Sequence, residues 1–345
     1  MPPLVSIITV NYNESASTRR CLRSLRLLTY PRVEVFVVDN ASDPGQASAL
    51  QQAYPDATVV ANPTNAGFAG GNNAVLSHTR GRYVLLLNND ALATPGMLEP
   101  LVEAMNPDPM LGVASPKLLF AGTDDERGRH RVQYAGAGPI YPYTGRSAST
   151  GYGERDDGRF DESGPTHLPH GAAMMVRRSV FEQHGCLPES YFLYYEEHDF
   201  ATRVREAGVG IRYVAESTVL HEASVSVGRD SPLKAFYMTR NRLLFLRRRV
   251  DGVAFLMSAF VFWFLALPKR LLQHLLRGER AQLTAAWAGA AEHLQGLVDP
   301  AEPLRPCRPR DGAGAHRAFR TRGWRSQAKH LPRPDRRDPA SAVLS

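Results

Sequence analysis

The stretch Tyr83-Val84-Leu85-Leu86-Leu87-Asn88-Asn89-Asp90 decides the fold. Five apolar residues in a row, with no polar alternation, read as a strand buried on both faces, as in a parallel sheet covered by helices. The polar triplet then falls at the carboxyl end of that strand, where open α/β sheets bind their ligands. A plainer reading makes Asp90 a helix cap, because Thr94-Pro95-Gly96 follows and looks like a helix start.

Working outward, the same pattern repeats. Val5-Ser6-Ile7-Ile8-Thr9-Val10 reads as a strand, with a helix over about 17–28 after it. Val33 to Val38 is a second strand, ending at Asp39-Asn40, with a helix over about 45–54. Ala57 to Ala61 is a third, followed by a helix over about 70–79. Strands alternating with helices predict an α/β fold with a mostly parallel, Rossmann-like sheet. The strand ends then bring Asn11 and Asn13, Asp39 and Asn40, and Asn88, Asn89 and Asp90 to one crevice.

Residues 111–115 suggest a further strand, and 121–164 show no regular pattern, as in a long segment that is functional or mobile. Order returns with a strand at 170–176, helices at 178–184 and 196–207, and two short strands at 211–215 and 217–220. No internal repeat is present. The domain boundaries expected are 1–230 for the α/β domain, 231–298 for a helical extension and 299–345 for a basic, disordered tail.

The chain has 345 residues, 43% of them apolar and 22% charged, which is ordinary for a globular protein. No basic segment followed by an apolar core opens the sequence, so no signal peptide is expected. Cys21, Cys186 and Cys307 have neither metal-ligand spacing nor an even count, which suggests a reduced, cytoplasmic setting. The tail from Asp299 onward carries six of the seven net positive charges. The body is nearly neutral, which argues against a nucleic-acid partner.

Residues 253–268, VAFLMSAFVFWFLALP, are almost wholly apolar, with Arg247 to Arg249 before them and Lys269-Arg270 after. The run is short for a simple membrane span. Three fates are open: a core helix, an interface with a second copy in a homo-oligomer, or a helix lying in the inner leaflet. The flanking basic residues favour the membrane surface.

Several residues carry chemistry. Asp39, at the end of the second strand, is placed to hold a ribose or a base edge. The GxGxxG fingerprint is absent after the first strand, which argues against a dinucleotide oxidoreductase. Asn65-Ala66-Gly67-Phe68-Ala69-Gly70-Gly71-Asn72-Asn73 precedes a helix, and its backbone amides suit close approach to a nucleotide; an ordinary turn explains it as well. Asp90 beside a diphosphate would bind Mg²⁺ or Mn²⁺, which take oxygen ligands. In Tyr194-Tyr195-Glu196-Glu197-His198-Asp199-Phe200, three acids open a helix. The helix dipole explains one or two of them, and Asp199 can pair with Arg203. A carboxylate at a buried helix start can also serve as a general base. His221, at a strand end, is a plausible metal or phosphate ligand.

In this order the motifs VSIITVNYN, VVDNAS, NAGFAGGNN, LLLNND, HGAAMMVRRSVFEQHG, YFLYYEEHDFATRVREAG and VLHEASVS resemble the family 2 glycosyltransferases of GT-A fold, nearest the bacterial rhamnosyltransferase-like branch. The likeness covers roughly residues 5–228. It implies inverting transfer of one sugar from a nucleotide sugar to a hydroxyl. It places Thr9, Asn11, Asn13 and Asp39 on the nucleotide, with Asn40, Asn65, Gly67, Asn72, Asn88 and Asn89 around it. It matches the family's Asp-x-Asp metal motif to Asn88-Asn89-Asp90, departing at Asn88, and leaves Asp90 as the carboxylate, joined by His221. Glu197 matches the usual base, with Glu196 and Asp199 completing the acidic set. The branch implies dTDP-rhamnose as donor and a growing cell-surface glycan on a lipid carrier as acceptor; the apolar run and its basic flanks set the expected location, cytoplasmic at the inner face of the cell membrane. Two other classes compete: a nucleotidyltransferase of similar fold, which would need a basic phosphate-gripping segment that 11–17 lacks, and a non-catalytic relative that binds nucleotide sugars.

Overall fold

The computed structural model describes residues 1–122, 130–222 and 231–300. The basic tail from residue 301, Cys307 and the end of the VLHEASVS motif lie outside the described residues.

The alternating pattern holds. β1 (Val5–Asn11), α1 (Ser15–Leu25), β2 (Val33–Asp39), α2 (Gln46–Ala53), β3 (Ala57–Ala61), α3 (Gly67–Leu76) and β4 (Tyr83–Leu87) follow one another. β1 pairs in parallel with β2 and β4, and β2 with β3. All five residues of β4 are buried, because helices cover the sheet on both faces. Ile8, Val38, Val84 and Leu86 face one core; Val5, Ile7, Val37 and Leu85 face the other.

Beyond β4 the sheet is mixed rather than mostly parallel. β5 (Ala91–Ala93), α4 (Leu98–Met105), β6 (Leu111–Phe120), β7 (Val132–Tyr134), β8 (Gly164–Pro165), β9 (Ala173–Arg177), α5 (Arg178–His184), α6 (Glu196–Glu206) and β10 (Gly210–His221) follow. The strand order is β3-β2-β1-β4-β9-β6-β10-β5. β9 is inserted antiparallel between β4 and β6, because the chain reaches it by the long excursion after β6 and not by a crossover helix. β6 runs ten residues, twice the expected length. The two short strands expected at 211–220 are one, β10, with a register shift against β6 between Val214 and Thr218. Of the cysteines, Cys21 is a buried free thiol and Cys186 is disulfide-bonded, so the fully reduced set expected from the spacing does not hold.

The C-terminal helices are α7 (Pro232–Arg249), α8 (Gly252–Phe260), α9 (Leu267–Leu276) and α10 (Arg280–Leu294). α8 and α9 are joined by a π-turn at Val261–Ala266. Pro268 gives its cause: its ring would clash with the Phe264 carbonyl in a regular helix. The result is a continuous helix over Gly252–Leu276, longer than the apolar run alone suggested. The helical segment that begins near residue 231 packs against the α/β domain. Tyr237, Leu244 and Phe245 of α7 are buried, and Leu244 and Phe245 pack with Tyr191 and Tyr195 just before α6.

Candidate active site

Polar groups cross the ends of β1, β2 and β4 as one network. Asn11 is fully buried and its amide donates to Asp39 Oδ1 at 2.8 Å and Ser42 Oγ at 3.0 Å. Its Oδ1 accepts from Thr18 Oγ1 at 2.8 Å, and Thr18 Oγ1 accepts from Asn89 at 3.1 Å. Asp39 Oδ2 also accepts from the Ser42 N–H at 3.1 Å. A carboxylate accepts about four hydrogen bonds, so Asp39 keeps acceptor capacity for a ligand. Asn13, exposed and left-handed at φ 57°, accepts from the Asp43 N–H and from Gln46.

Several residues expected to touch the nucleotide lie within the scaffold, most of them bonded to it. Thr9 is fully buried in the layer between sheet and α1, on the face it shares with Ile7. Asn11 and Asn89 complete the network just described. Asn40 uses both ends of its amide on Asn62, Asn65, Ala66 and Gly67. Asn65 caps the Gly67 N–H at 2.9 Å, and Asn72 bonds the Phe68 carbonyl one turn back. The glycine-rich segment is mostly the first turns of α3, three residues earlier than expected. Gly67 has φ +70°, and a Cβ there would stand 2.2 Å from the Phe192 carbonyl oxygen. That carbonyl accepts the Phe68 N–H at 2.7 Å. The glycine therefore admits the segment leading to α6.

Asp90 is not a helix cap: β5 follows it and α4 begins only at Leu98. Antiparallel pairing sets His221 opposite Ala91 and so beside Asp90. His221 Nε2 lies 3.0 Å from Asp90 Oδ1, and Nδ1 lies 2.8 Å from Gln133 Oε1. The imidazole is thereby held between the Gln133 amide and the Asp90 carboxylate, one ring nitrogen to each. Two donor atoms aimed at one point, with the imidazole held by an outer partner, fit a bound divalent cation. Among the described residues no third His, Cys, Asp or Glu joins them. Mg²⁺ and Mn²⁺ accept so few protein ligands where phosphate oxygens complete the shell.

The acidic helix is reached through a strained turn. Phe192, Tyr194 and Tyr195 have φ of 64°, 68° and 76°, costly for non-glycine residues. Asn241 of α7 holds the turn: its amide donates to the carbonyls of Tyr191, Leu193 and Tyr194 at 2.8, 2.8 and 2.9 Å. Glu196 is 4% exposed. Burial and the neighbouring charge of Glu197 hold its carboxyl well above the usual carboxylate range. Burial acts upward on Glu197 as well, but His198 and His170 outweigh it and its pKa falls; Oε1 lies 3.3 Å from His198 Nδ1.

Asp199 has a different place from the one expected. It is fully buried, accepts from the Tyr191 hydroxyl at 2.8 Å and is ion-paired with Arg249 of α7. Both oxygens are thus engaged away from the crevice, and it ties α6 to α7. Arg203, expected to pair with it, donates to the carbonyls of Gly185 and Cys186.

The two corners meet. The His170 ring lies 6.0 Å from that of His221, and the next residue, Gly171, faces Glu197: a Cβ there would stand 3.8 Å from its carboxyl carbon. Burial, then His221, lower His170 to about 4, so it is neutral at pH 7. Burial, then the charges of Glu196, Glu197 and Asp90, raise the Tyr194 hydroxyl.

Residues 6–185 match the sequence profile of Glycosyl transferase family 2. The chain belongs to that family. It is 27% identical over 270 residues to the N-acetylglucosaminyl-diphospho-decaprenol L-rhamnosyltransferase of Mycobacterium tuberculosis, covering 73% of this chain and 87% of the relative. It is 28% identical over 247 residues to a low-salt glycan biosynthesis hexosyltransferase of Haloferax volcanii, covering 70% and 74%. The fold resembles a mannosyltransferase from Pyrobaculum calidifontis in complex with GDP-Man and Mn²⁺, at TM-score 0.52 and 21% identity over 89% of this chain and 78% of that one. It also resembles GalNAc-T7 with UDP, GalNAc and Mn²⁺, at TM-score 0.58 and 15% identity over 78% and 51%. The GT-A fold and the rhamnosyltransferase-like resemblance read from the motifs are thereby borne out, and the chain is a glycosyltransferase.

Three residues of this glycosyltransferase escaped the sequence reading. Gln133 lies in the patternless excursion and left no signal. His170 opens a motif but stood out there only as a strand start. Asn241 did leave one: an amide within the apolar run of a helix needs partners.

Proposed function

We propose that this glycosyltransferase moves rhamnose from dTDP-rhamnose to a hydroxyl of a lipid-linked glycan precursor, with inversion and with a divalent cation. The observation that carries this reading is the convergence of Asp90–His221 and Glu196–Glu197 on one crevice through His170, Gly171 and Tyr194. Similarity over most of its length to a rhamnosyltransferase named for a diphospho-decaprenol acceptor supports the donor and acceptor classes.

Asp39, Asn13 and the partly exposed Asn88 line the nucleotide side. Asp90 and His221 would hold Mg²⁺ or Mn²⁺, which when bound neutralises charge developing on the leaving diphosphate. Glu196 and Glu197 have environments that push their pKa values apart, which separates their roles. Glu197, kept ionised, accepts the proton of the acceptor hydroxyl. Burial and the Glu197 charge disfavour the ionised form of Glu196, which sets it apart from the proton acceptor. The acceptor oxygen attacks the anomeric carbon on the face opposite the diphosphate, which inverts that centre.

The helix over Gly252–Leu276 supports action at the inner face of the membrane. Ser258, Phe262 and Leu267 are buried against the body, while Val253, Leu256, Phe260, Phe264, Leu265, Leu272 and Leu276 are exposed. An exposed apolar face of this extent marks an interaction surface, and Lys269, Arg270 and Arg277 add attraction to anionic lipid.

The test is a panel of nucleotide sugars with Mn²⁺, read first as thermal stabilisation and then as transfer to a polyprenyl-diphosphate-linked sugar. The expected result is stabilisation and transfer with dTDP-rhamnose; nucleotide-sugar binding without transfer to any lipid-linked acceptor would refute the reading. Fractionation of the full chain checks location: retention with membranes after a high-salt wash and release by detergent is expected. A soluble dimer would instead assign the apolar face to a second copy.

A further inference from the structure

Three arginines come together beside the acidic turn from three separate elements. Arg242 lies on the buried side of α7, donates from Nε to the Thr144 carbonyl at 2.6 Å, and sets its guanidinium 5.6 Å over the Phe262 ring. Thr144 belongs to a hairpin closed by the Tyr141–Arg146 bridge, and Gly145 of that hairpin sits against Leu246 and Phe245 of α7. Arg270 stands on α9, three residues past Leu267, which packs with Leu243 and Phe262.

These charges are uncompensated. Nearby Arg240 and Arg249 have carboxylates, Glu292 for the first and Asp199 with Glu206 for the second. Among the described residues no carboxylate pairs with Arg146, Arg242 or Arg270. They act on one another instead: burial lowers Arg242 to about 10, and Arg146 and Arg270 push it the same way. Arg242 is buried and Arg270 half-buried, and keeping a guanidinium out of water without a counter-charge is costly; Arg146 is exposed and adds a third like charge to the group. Three of them around one point describe a missing anion, and guanidinium forks match phosphate oxygens.

The location says which anion. All three charges reach Tyr195, the residue before Glu196, and so does the charge of Glu197. On the other side, α9 and the turn before it expose Phe264, Leu265 and Leu272. An anion bound here has the acidic pair on one side and an apolar surface on the other. We infer that Arg146, Arg242 and Arg270 bind the diphosphate of the lipid-linked acceptor, with its hydrocarbon chain along the exposed face of the helix over Gly252–Leu276. The inference rests on the lipid-linked acceptor proposed above, and it assigns that acceptor a site distinct from the nucleotide crevice.

The test uses the full chain, farnesyl diphosphate as probe, and calorimetry in EDTA, so that no cation holds a diphosphate at Asp90. Farnesol and inorganic pyrophosphate are the comparison ligands. The variant is R146Q/R270Q, because neither side chain is fully buried and both remain polar. Farnesyl diphosphate is expected to bind the wild type and to lose about tenfold or more in affinity in the variant, as for loss of charge-assisted contacts. Without ligand, the variant should melt at the same temperature as the wild type or higher, since like charges have been removed; purely structural arginines would give the reverse. Equal affinity in variant and wild type, or no binding to the wild type, overturns the site. Pyrophosphate binding as tightly as farnesyl diphosphate overturns the lipid assignment in favour of a free phosphate ligand. Binding is read here without turnover, so failure of the glycosyl-transfer reading and failure of this site appear in different measurements.

Discussion

Asp90 and His221 stand on strand ends, and the backbone pairing of β5 with β10 places them. Glu196 and Glu197 stand on a helix reached through three left-handed residues, placed by the side-chain amide of Asn241. The first corner is held by a ladder in which no one side chain decides the outcome. The second depends on one residue of α7, 44 positions downstream of Glu197. The difference teaches that α7 holds the turn that carries the two acids. Its partners in that task, Asn241 with the turn and Arg249 with Asp199, lie beyond the segment that matches the family profile.

The largest effect separates the corners by chemistry. Glu197→Gln keeps shape but cannot accept a proton, so transfer should fall about 100-fold to 10,000-fold while nucleotide-sugar binding survives. Steady-state rates alongside direct donor binding check this. If Glu196→Gln proves the less active of the two, the roles are reversed. Asp90→Ala should cost roughly 100-fold, comparable to one strong electrostatic contact at a transition state, and should abolish the response to Mn²⁺. Normal rates for Asp90→Ala in EDTA would remove the cation from the proposal.

Asn241→Leu tests how the second corner is held. It leaves the Leu193 and Tyr194 carbonyls without their donor and takes one of two donors from the Tyr191 carbonyl, and a buried unpaired group costs about 1–3 kcal/mol. A misplacement of about 1 Å at a reacting group costs on the order of 100-fold in rate. As a positioning residue, Asn241 should therefore lower kcat by about tenfold or more and leave the KM for the nucleotide sugar unchanged. A rise in that KM with kcat retained would mean that the turn does not aim the acids. The melting temperature should also fall, which a role in catalysis alone would not predict.

The parallel half of the sheet was legible because its signals are local: buried runs, polar strand ends and helical spacing within a few residues. The antiparallel entry of β9 was not, because nothing in His170 to Val176 records strand direction. Among the residues singled out, Asp90 and His221 lie side by side and Glu196 and Glu197 open one buried helix, while Asn40, Asn65, Gly67, Asn72 and Asp199 have partners within the framework. Polar residues at strand ends look alike in sequence whether they face a ligand or one another, and only their hydrogen-bond partners tell them apart. Gly67 is the clearest case. Its close approach is to the Phe192 carbonyl, 125 residues away, where composition pointed to a phosphate.

The smallest expected effect concerns stability and separates the two adjacent acids by sign. Burial and the Glu197 charge raise Glu196 in the folded chain. Between its unfolded and folded pKa values the folded chain therefore holds a proton that the unfolded chain has released. Stability from this group is complete below the unfolded value and is lost as pH rises through the folded one. Glu197 is lowered, so its contribution is present above the unfolded value and is lost as pH falls through the folded one. Glutamine cannot ionise in either state. Relative to wild type, Glu196→Gln should melt at the same temperature at about pH 4 and on the order of 2 °C higher at about pH 8. Glu197→Gln should show no such gain and should lose stability over the same rise. Melting curves of both variants across that range decide the matter: parallel pH profiles would mean that the two carboxyls share one environment, and the division of roles between them would fall.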